Sequence, residues 1–386
     1  MFLMQNKNNI RNCRVCGHDF FSKPLLQYAN MPKAAQFFPG KESLKDEKGI
    51  NLKIYQCCGC GLVQLNSKPV TYYKDVIRAV SISQEIKEFR AEQFKKFVNK
   101  YSLKTRKILE IGCGRGEHLF IMQKFVKNTY GIEHAEASVK YCVKQGLNVS
   151  KEFLAKSSQK LLNAPFDSFF IMNFLEHLPS PNATLTGLYN NLSDEGIGLV
   201  EVPNFDMILR NNLFSEFIPD HLLYFTQDTL IKVLSLNGFD VIECSEKRYG
   251  YIISAIVRKR KKLDLSSFYM HQERLKKDLN SYINRFENKK VAIWGAGHQA
   301  LAVIAMTNIA KKIKYVVDSA PFKQNKYTPA THIPIVAPEM LLTDKVDALI
   351  VMAAGYSDEV AGIIKRKYDN IQIAVLRDFG LEIIHK

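Results

Sequence analysis

The stretch Ile108-Leu109-Glu110-Ile111-Gly112-Cys113-Gly114-Arg115-Gly116 decides the fold of this chain. An apolar run carries a carboxylate, turns through alternating glycines and enters the amphipathic segment Glu117 to Lys127, which reads as strand, tight turn and helix. Glycines let the backbone approach a ligand closely, and the turn delivers that ligand to the amides of a helix start. A second apolar strand, Thr129 to Ile132, runs into Glu133, where dinucleotide-binding folds place an acid to hold a ribose. Glu110, just before the turn, is a second acid at the same place.

Working outward, a helix is expected over Ala135 to Gln145 and a strand over Ser168 to Met172, closing on Asn173-Phe174-Leu175-Glu176-His177. A further helix ends at Asn191, Glu195-Gly196 reads as a turn, and the strand Ile197 to Val202 ends in Pro203-Asn204. Strands alternating with helices predict an α/β fold with a parallel, doubly wound sheet, whose ligands sit at the carboxyl ends of the strands. That gathers Gly112, Gly114, Glu133, Asn173, Glu176, Glu201 and Asn204 around one crevice. The Glu-x-Gly-x-Gly-x-Gly form resembles the first motif of doubly wound S-adenosylmethionine enzymes more than the Gly-x-Gly-x-x-Gly of NAD enzymes. Downstream, Ile218-Pro219-Asp220-His221 offers a base: His221 titrates near neutral pH and Asp220 can orient it. The plainer alternative makes His221 a helix cap and Tyr224-Phe225 core. His177 is either a wall of the cofactor site or a catalytic group.

The 386 residues suffice for two or three domains, and 46% hydrophobic content supports packed cores. Met1-Phe2-Leu3-Met4 gives way at once to Gln5-Asn6-Lys7, so no secretory leader is expected. The longest apolar candidate, Ala348 to Ala354, is too short to span a bilayer; the chain is expected to be cytoplasmic, with no membrane partner. A formal charge of +16 attracts anions, but lysine is spread along the chain. The densest run, Arg258 to Lys262, follows a strand and reads as a solvated linker start rather than a nucleic-acid patch.

The cysteines fall into two groups. Cys13-Arg14-Val15-Cys16-Gly17 is echoed by Cys57-Cys58-Gly59-Cys60-Gly61, two Cys-x-x-Cys-Gly knuckles that predict a tetrahedral four-sulfur cage for structural Zn²⁺. Cys57 keeps the matched spacing and Cys58 is the extra thiol. Cys113, Cys142 and Cys244 are scattered and read as small buried residues.

Near the C-terminus, Val291 to Trp294, Gly295-Ala296-Gly297 and the following helix repeat the strand–turn–helix form, with Asp318 ending the next strand; alone this is a good NAD fingerprint. Lys323, Lys326 and His332 lie in the loop beyond it, as pyrophosphate ligands or as solvated residues. The predicted division is a zinc module over 1–72, an S-adenosylmethionine domain over 73–258, a linker helix over 259–289 and a Rossmann-like domain over 290–386.

This order of parts resembles the three-domain sugar C-methyltransferases that make branched deoxysugars from nucleotide-linked keto-sugars. The likeness rests on Cys13 to Cys16, Cys57 to Gln64, Leu109 to Gly116, Glu176-His177, Glu201-Val202-Pro203, Asp220-His221 with Tyr224-Phe225, and Val291 to Gly297. The tail adds Asp318 to Gln324 and Thr331 to Ile335. The resemblance implies S-adenosylmethionine as methyl donor, held by Glu110, Gly112, Gly114, Glu133, Asn173 and Glu176. It implies a base at His221, partnered by Asp220, that removes a proton beside a keto group so that the enolate takes the methyl. The implied partner is a nucleotide-sugar, met by Glu201, Asn204, Gly295, Gly297, Lys323 and His332, in a monomer or small homo-oligomer without nucleic acid.

The chain departs from the family's Tyr-x-Glu-His. Ile218 replaces the tyrosine and cannot donate, the acid is shortened to Asp220, and Tyr224 is the phenol nearest in sequence to substitute. An oxygen or nitrogen acceptor on a sugar would need only His221. Asn325 and Pro329-Ala330 also stand where the family commonly has glycine or Pro-Gly. Two other classes remain: a zinc-containing nucleic-acid-binding or -modifying protein, and a nicotinamide oxidoreductase built on the tail fingerprint.

Overall fold

Each glycine turn opens a sheet of its own. The computed structural model describes residues 10–35, 38–75 and 83–384. The opening residues read for a leader, Met1 to Lys7, lie outside them. The chain forms two units, residues 1–261 and 262–386.

In the first unit, β1 (Leu26–Met31), β2 (Ile50–Gln56) and β3 (Val63–Leu65) pair antiparallel beside the cysteine knuckles. Helix α1 (Gln84–Lys100) starts where the Ser83 side chain accepts the Ile86 amide. Then come β4 (Ile108–Ile111), α2 (Glu117–Gln123), β5 (Thr129–Glu133), α3 (Glu136–Lys144), β6 (Val149–Lys151) and β7 (Phe166–Met172). They are followed by α4 (Pro181–Asn190), β8 (Leu192–Pro203), α5 (Phe205–Arg210), β9 (Leu223–Tyr224), α6 (Gln227–Leu236), β10 (Phe239–Lys247) and β11 (Ile252–Lys259). The main sheet runs β10-β11-β8-β7-β4-β5-β6, with β11 antiparallel to both neighbours and the core strands parallel. Ile111 stands level with Ile132 and Ile171, so Gly112, Glu133 and Asn173 emerge together at the carboxyl ends.

Alternation along the buried strands feeds two cores. Leu109, Ile111, Phe169, Ile171 and Val200 point one way; Ile108, Phe170, Met172 and Leu199 point the other, toward Phe94 and Leu119 of α1 and α2. Truncating Phe169 or Phe170, both fully buried, to alanine should cost about 3–5 kcal/mol. The turn expected at Glu195-Gly196 is not a break: the register jumps from Phe166↔Leu192 to Ser168↔Ile197, and β8 absorbs the intervening residues as a bulge. The bulge and β10 carry acids that meet the basic run, in Lys259–Asp194 at 3.4 Å, Arg260–Asp240 at 2.7 Å and Lys261–Glu195.

The small sheet is completed from far along the chain. Val63 and Gln64 pair with Tyr224 and Leu223 of β9, giving the order β1-β2-β3-β9. The cysteine segment therefore shares a unit with the main sheet rather than standing apart. The knuckle residues Cys13, Val15, Cys57 and Leu62 lie in the same apolar cluster as Leu222 and Phe225.

The second unit comprises α7 (Ser266–Ile283), β12 (Val291–Trp294), α8 (His298–Thr307), β13 (Ile313–Val317), β14 (Lys326–Tyr327), β15 (Pro334–Val336), α9 (Met340–Thr343), β16 (Ala348–Val351), α10 (Ser357–Lys367), β17 (Gln372–Arg377) and β18 (Gly380–Ile384). Its sheet runs β14-β15-β13-β12-β16-β17-β18, antiparallel only at its two edges. Helix α7, read as a linker, is part of this unit, since Leu275, Leu279, Tyr282 and Ile283 pack with Val291, Ile293 and Ile350. Asn325 and Ala330, where glycine is common in the resembled family, hold φ of +60° and +62°, which explains that preference. No helix among the described residues is long and apolar enough to cross a membrane.

Candidate functional site

The first glycine turn is built around a carboxylate. Gly112 adopts φ +66°, and a Cβ there would stand 2.8 Å from the Phe174 ring. The Gly114 amide donates to Glu133 Oε2 at 2.9 Å, while His134 and Ala135 amides donate to Oε1 at 2.9 and 2.8 Å. Burial raises the Glu133 carboxyl, and these three amides oppose it without cancelling it. Glu133 has no ion pair among the described residues, so the acid keeps acceptor capacity at the turn. Ile132, His134, Glu152, Phe153 and Phe174 surround it, and the Phe153 and Phe174 rings stand edge to face at 6.4 Å. These walls suit the flat base and ribose of an adenosine.

Beside Phe174 opens a cleft of about 310 Å³ lined by Tyr72, Tyr73, Asp75, His118, Asn173, His177, Ile218, Asp220 and His221, among others. His177 Nδ1 lies 2.7 Å from the Asp220 carbonyl oxygen. That oxygen can only accept, so Nδ1 carries a proton, and in the neutral ring Nε2 is the nitrogen left with a lone pair. The His221 ring meets the His177 ring edge to face at 4.8 Å. Burial, and then His177, hold the His221 imidazole down at about 3, so it stands in its proton-accepting form.

Asp220 does not orient His221. Its Oδ1 accepts the Tyr72 hydroxyl at 2.7 Å and its Oδ2 the Ala35 amide at 3.0 Å, tying the cleft to the N-terminal segment. Tyr224 is absent from the cleft as well. It is 4% exposed among Phe205 and Phe217, and its hydroxyl donates to the Ile218 carbonyl at 3.3 Å and accepts the Ile218 amide at 3.1 Å. Burial pushes that phenol up, away from proton donation. The phenols lining the cleft are Tyr72 and Tyr73, and Tyr72 is the one bound to Asp220.

Several predicted residues are committed beneath the cleft. Glu201 is fully buried and held by Arg90 and Gln93 of α1. Glu110 is buried on the same side of its strand as Ile108, with His118 Nδ1 3.6 Å away. Asn204 caps α5 through the Asp206 amide and donates to the Gly250 carbonyl at 2.7 Å. None of these three lines the cleft. Asn173 reaches it at φ +49°, a strained turn that asparagine tolerates. Glu176 is 1% exposed, its Oε1 3.7 Å from His177 Nε2, and burial pushes its carboxyl up against the pull of His177.

The four cysteines converge. Cys13 and Cys60 sulfurs are 3.6 Å apart, Cys16 and Cys57 sulfurs 3.3 Å, and all four lie within 4.8 Å of one another. Bonds of about 2.3 Å to one tetrahedral ion would set sulfurs roughly 3.8 Å apart. Amides of Val15, Gly59 and Cys60 and the Gln64 side chain donate to sulfur, as thiolate ligands require. A hydrogen bond from Cys60 brings Cys13 down to about 4 and pushes Cys60 up, as when crowded sulfurs share a proton in place of a cation. Cys58 is exposed and outside the cluster. The donor set and spacing fit zinc.

In the second unit, Gly295 takes φ +117° with a Cβ position 2.5 Å from the Met352 carbonyl oxygen. Asp318 accepts the Ala296 amide at 2.8 Å, the Ala320 amide at 2.9 Å and Lys323 Nζ at 2.9 Å. Lys323 is thus engaged by the acid of its own turn, while His332 is exposed at φ +53°.

Sequence reasoning missed Tyr72, Phe153, Phe174 and His118. Phe174 follows Asn173 directly and His118 lies in the first turn of the helix after the glycines, so their positions were readable. Tyr72 was not, because its partner is 148 residues away.

The glycine turn with its acid, at the carboxyl ends of a sheet with one antiparallel strand, defines an S-adenosylmethionine-dependent methyltransferase; residues 86–244 match the family model described as a methyltransferase domain. Residues 258–371 match that of a C-methyltransferase C-terminal domain. The C-methyltransferase NovU of Streptomyces niveus is 20% identical over 384 residues, covering 91% of each chain. Together the two models mark the chain as a methyltransferase whose C-terminal part matches a C-methyltransferase domain. A shorter likeness, 26% over 155 residues, links 37% of the chain to 50% of the tRNA U34 carboxymethyltransferase of Aliarcobacter butzleri (strain RM4018). Among solved structures, an S-adenosylmethionine-dependent methyltransferase from Clostridium acetobutylicum ATCC 824 aligns with TM-score 0.39 at 13% identity, covering 49% of this chain and 96% of that one. The plantazolicin methyltransferase BpumL in complex with SAH gives 0.38 at 15%, covering 46% and 86%.

Proposed function

We propose that the enzyme methylates a carbon beside the keto group of a nucleotide-linked sugar. The observation that carries this reading is the meeting of the His221 imidazole with the Tyr72 phenol in one cleft next to the glycine turn. Glu133 and the turn amides hold the donor, with Phe153 and Phe174 as walls. His221 takes the proton from carbon, and the imidazolium formed is stabilised by the enolate growing beside it. Tyr72, which rests with its hydroxyl on Asp220, would supply the hydrogen-bond donor that Ile218 lacks by turning its one O–H from the Asp220 carboxylate to the keto oxygen, where charge collects. Four thiolates, Cys13, Cys16, Cys57 and Cys60, hold a structural zinc that would brace the strands carrying Tyr72 toward the cleft.

The test uses a nucleoside-diphosphate keto-sugar in D₂O with S-adenosylhomocysteine. Wild type should exchange the proton beside the carbonyl, and methyl-labelled donor should place its label on that carbon. His221→Asn should bind donor normally and lose exchange by about 10²–10⁴-fold. Label on oxygen or nitrogen, or exchange that survives the substitution, would sink the reading.

A further inference from the structure

We infer that Glu176, His177 and His221 form a binding site for a single divalent cation of borderline softness, and that its occupancy silences the base. One ligand atom from each of the three lies within 4.8 Å of the others. His177 is already arranged as a metal ligand: its Nδ1–H is spent on the Asp220 carbonyl at 2.7 Å, which fixes the tautomer and turns the Nε2 lone pair toward Glu176 Oε1, 3.7 Å away. Glu176 supplies the independent observation. It is 1% exposed, and its Oε2 has no hydrogen-bond partner among the described residues. A buried carboxylate oxygen without a hydrogen bond is costly, and a cation against it removes that cost.

Two imidazoles and one carboxylate suit Fe²⁺, Co²⁺, Ni²⁺ or Zn²⁺ and disfavour Mg²⁺ and Ca²⁺, which demand oxygen. Ligand atoms on one such ion stand roughly 3 Å apart, so the group must close by about an ångström. The partly exposed histidine rings can turn to do so. An ion seated there takes the His221 lone pair that would otherwise accept the substrate proton, so metal and proton abstraction exclude each other. This use of the site rests on the proposed reading of His221 as base; the binding itself does not.

The full chain as purified is titrated with Co²⁺ and followed by visible absorption. One ion per chain should give a weak d–d band without the intense near-ultraviolet thiolate band that cobalt in the cysteine cluster would show. Glu176→Gln and His177→Asn, each checked for folding by circular dichroism and thermal unfolding, should weaken that ion by at least about 10-fold. Zn²⁺ should suppress proton exchange on the keto-sugar over the range in which it displaces cobalt, and a chelator should restore it. A wild type showing only the thiolate spectrum, or binding unchanged in both variants, overturns the site. Cobalt bound as expected while exchange is untouched by zinc overturns the silencing. Absence of exchange with every keto-sugar in metal-free protein would strike the proposed function and leave the binding result standing.

Discussion

The two glycine turns read almost alike, yet their acids do different work. Glu133 meets only backbone amides, from Gly114, His134 and Ala135. Asp318 meets two amides and a lysine, with Lys323 Nζ 2.9 Å away. A carboxylate compensated by amides alone can still accept from ribose hydroxyls, whereas one closed by a resident ammonium is occupied. The fingerprint of strand, glycine turn and acid therefore identifies a local shape; the counter-ion decides whether that shape still has something to offer a ligand.

Removing the zinc proposed for the cysteine cluster separates the two halves most coarsely. A chelator that strips the cysteine cluster should lose several kcal/mol of first-unit stability. Hydrogen exchange should rise across residues 10–75 and 222–225 and remain unchanged around β12 and β13. Next in size, Glu133→Gln should weaken donor binding by about 10–100-fold in calorimetry, the worth of a charged hydrogen-bond acceptor, whereas Asp318→Asn should leave it unchanged. If the two substitutions weaken the donor equally, the comparison fails.

Asp318→Asn should instead destabilise the second unit by about 1–3 kcal/mol. Burial alone would raise the Asp318 carboxyl, but Lys323 and the Ala320 and Ala296 amides outweigh it and hold it below its ordinary value. A group depressed in this way contributes stability that is fully present above its unfolded value of about 3.9 and is lost as pH falls through the lower folded one. Acid unfolding of wild type below about pH 4, monitored in the second unit, should therefore be steeper than that of the asparagine variant. The smallest effect concerns the loop beyond. Ala330 sits at φ +62°, and Ala330→Gly should raise stability by about 0.5–1 kcal/mol in a denaturant titration.

What the residues disclosed on their own follows from range. The strand, glycines and acid of each turn lie within a short window, and the two cysteine knuckles repeat a local form, so both were legible. The bulge in β8 hid behind Glu195-Gly196, whose turn-forming residues a strand absorbed because Ile197 re-registers with Ser168. Asp220 looked like the partner of the adjacent His221, but adjacency along a chain says nothing about where a side chain points, and Tyr72 and Ala35 claimed it. Tyr224 folds back onto Ile218, only six residues away, which no composition rule foretells.

The antiparallel pairing of Val63 and Gln64 with Tyr224 and Leu223 has an implication for biogenesis. On the ribosome, the amino-terminal strands emerge long before their last partner is synthesised. They must wait with an open edge until the segment bearing His221 leaves the exit tunnel. Early ion capture by the knuckles would keep that waiting piece ordered. Neither half of this unit can be swapped as a cassette without cutting the small sheet in two.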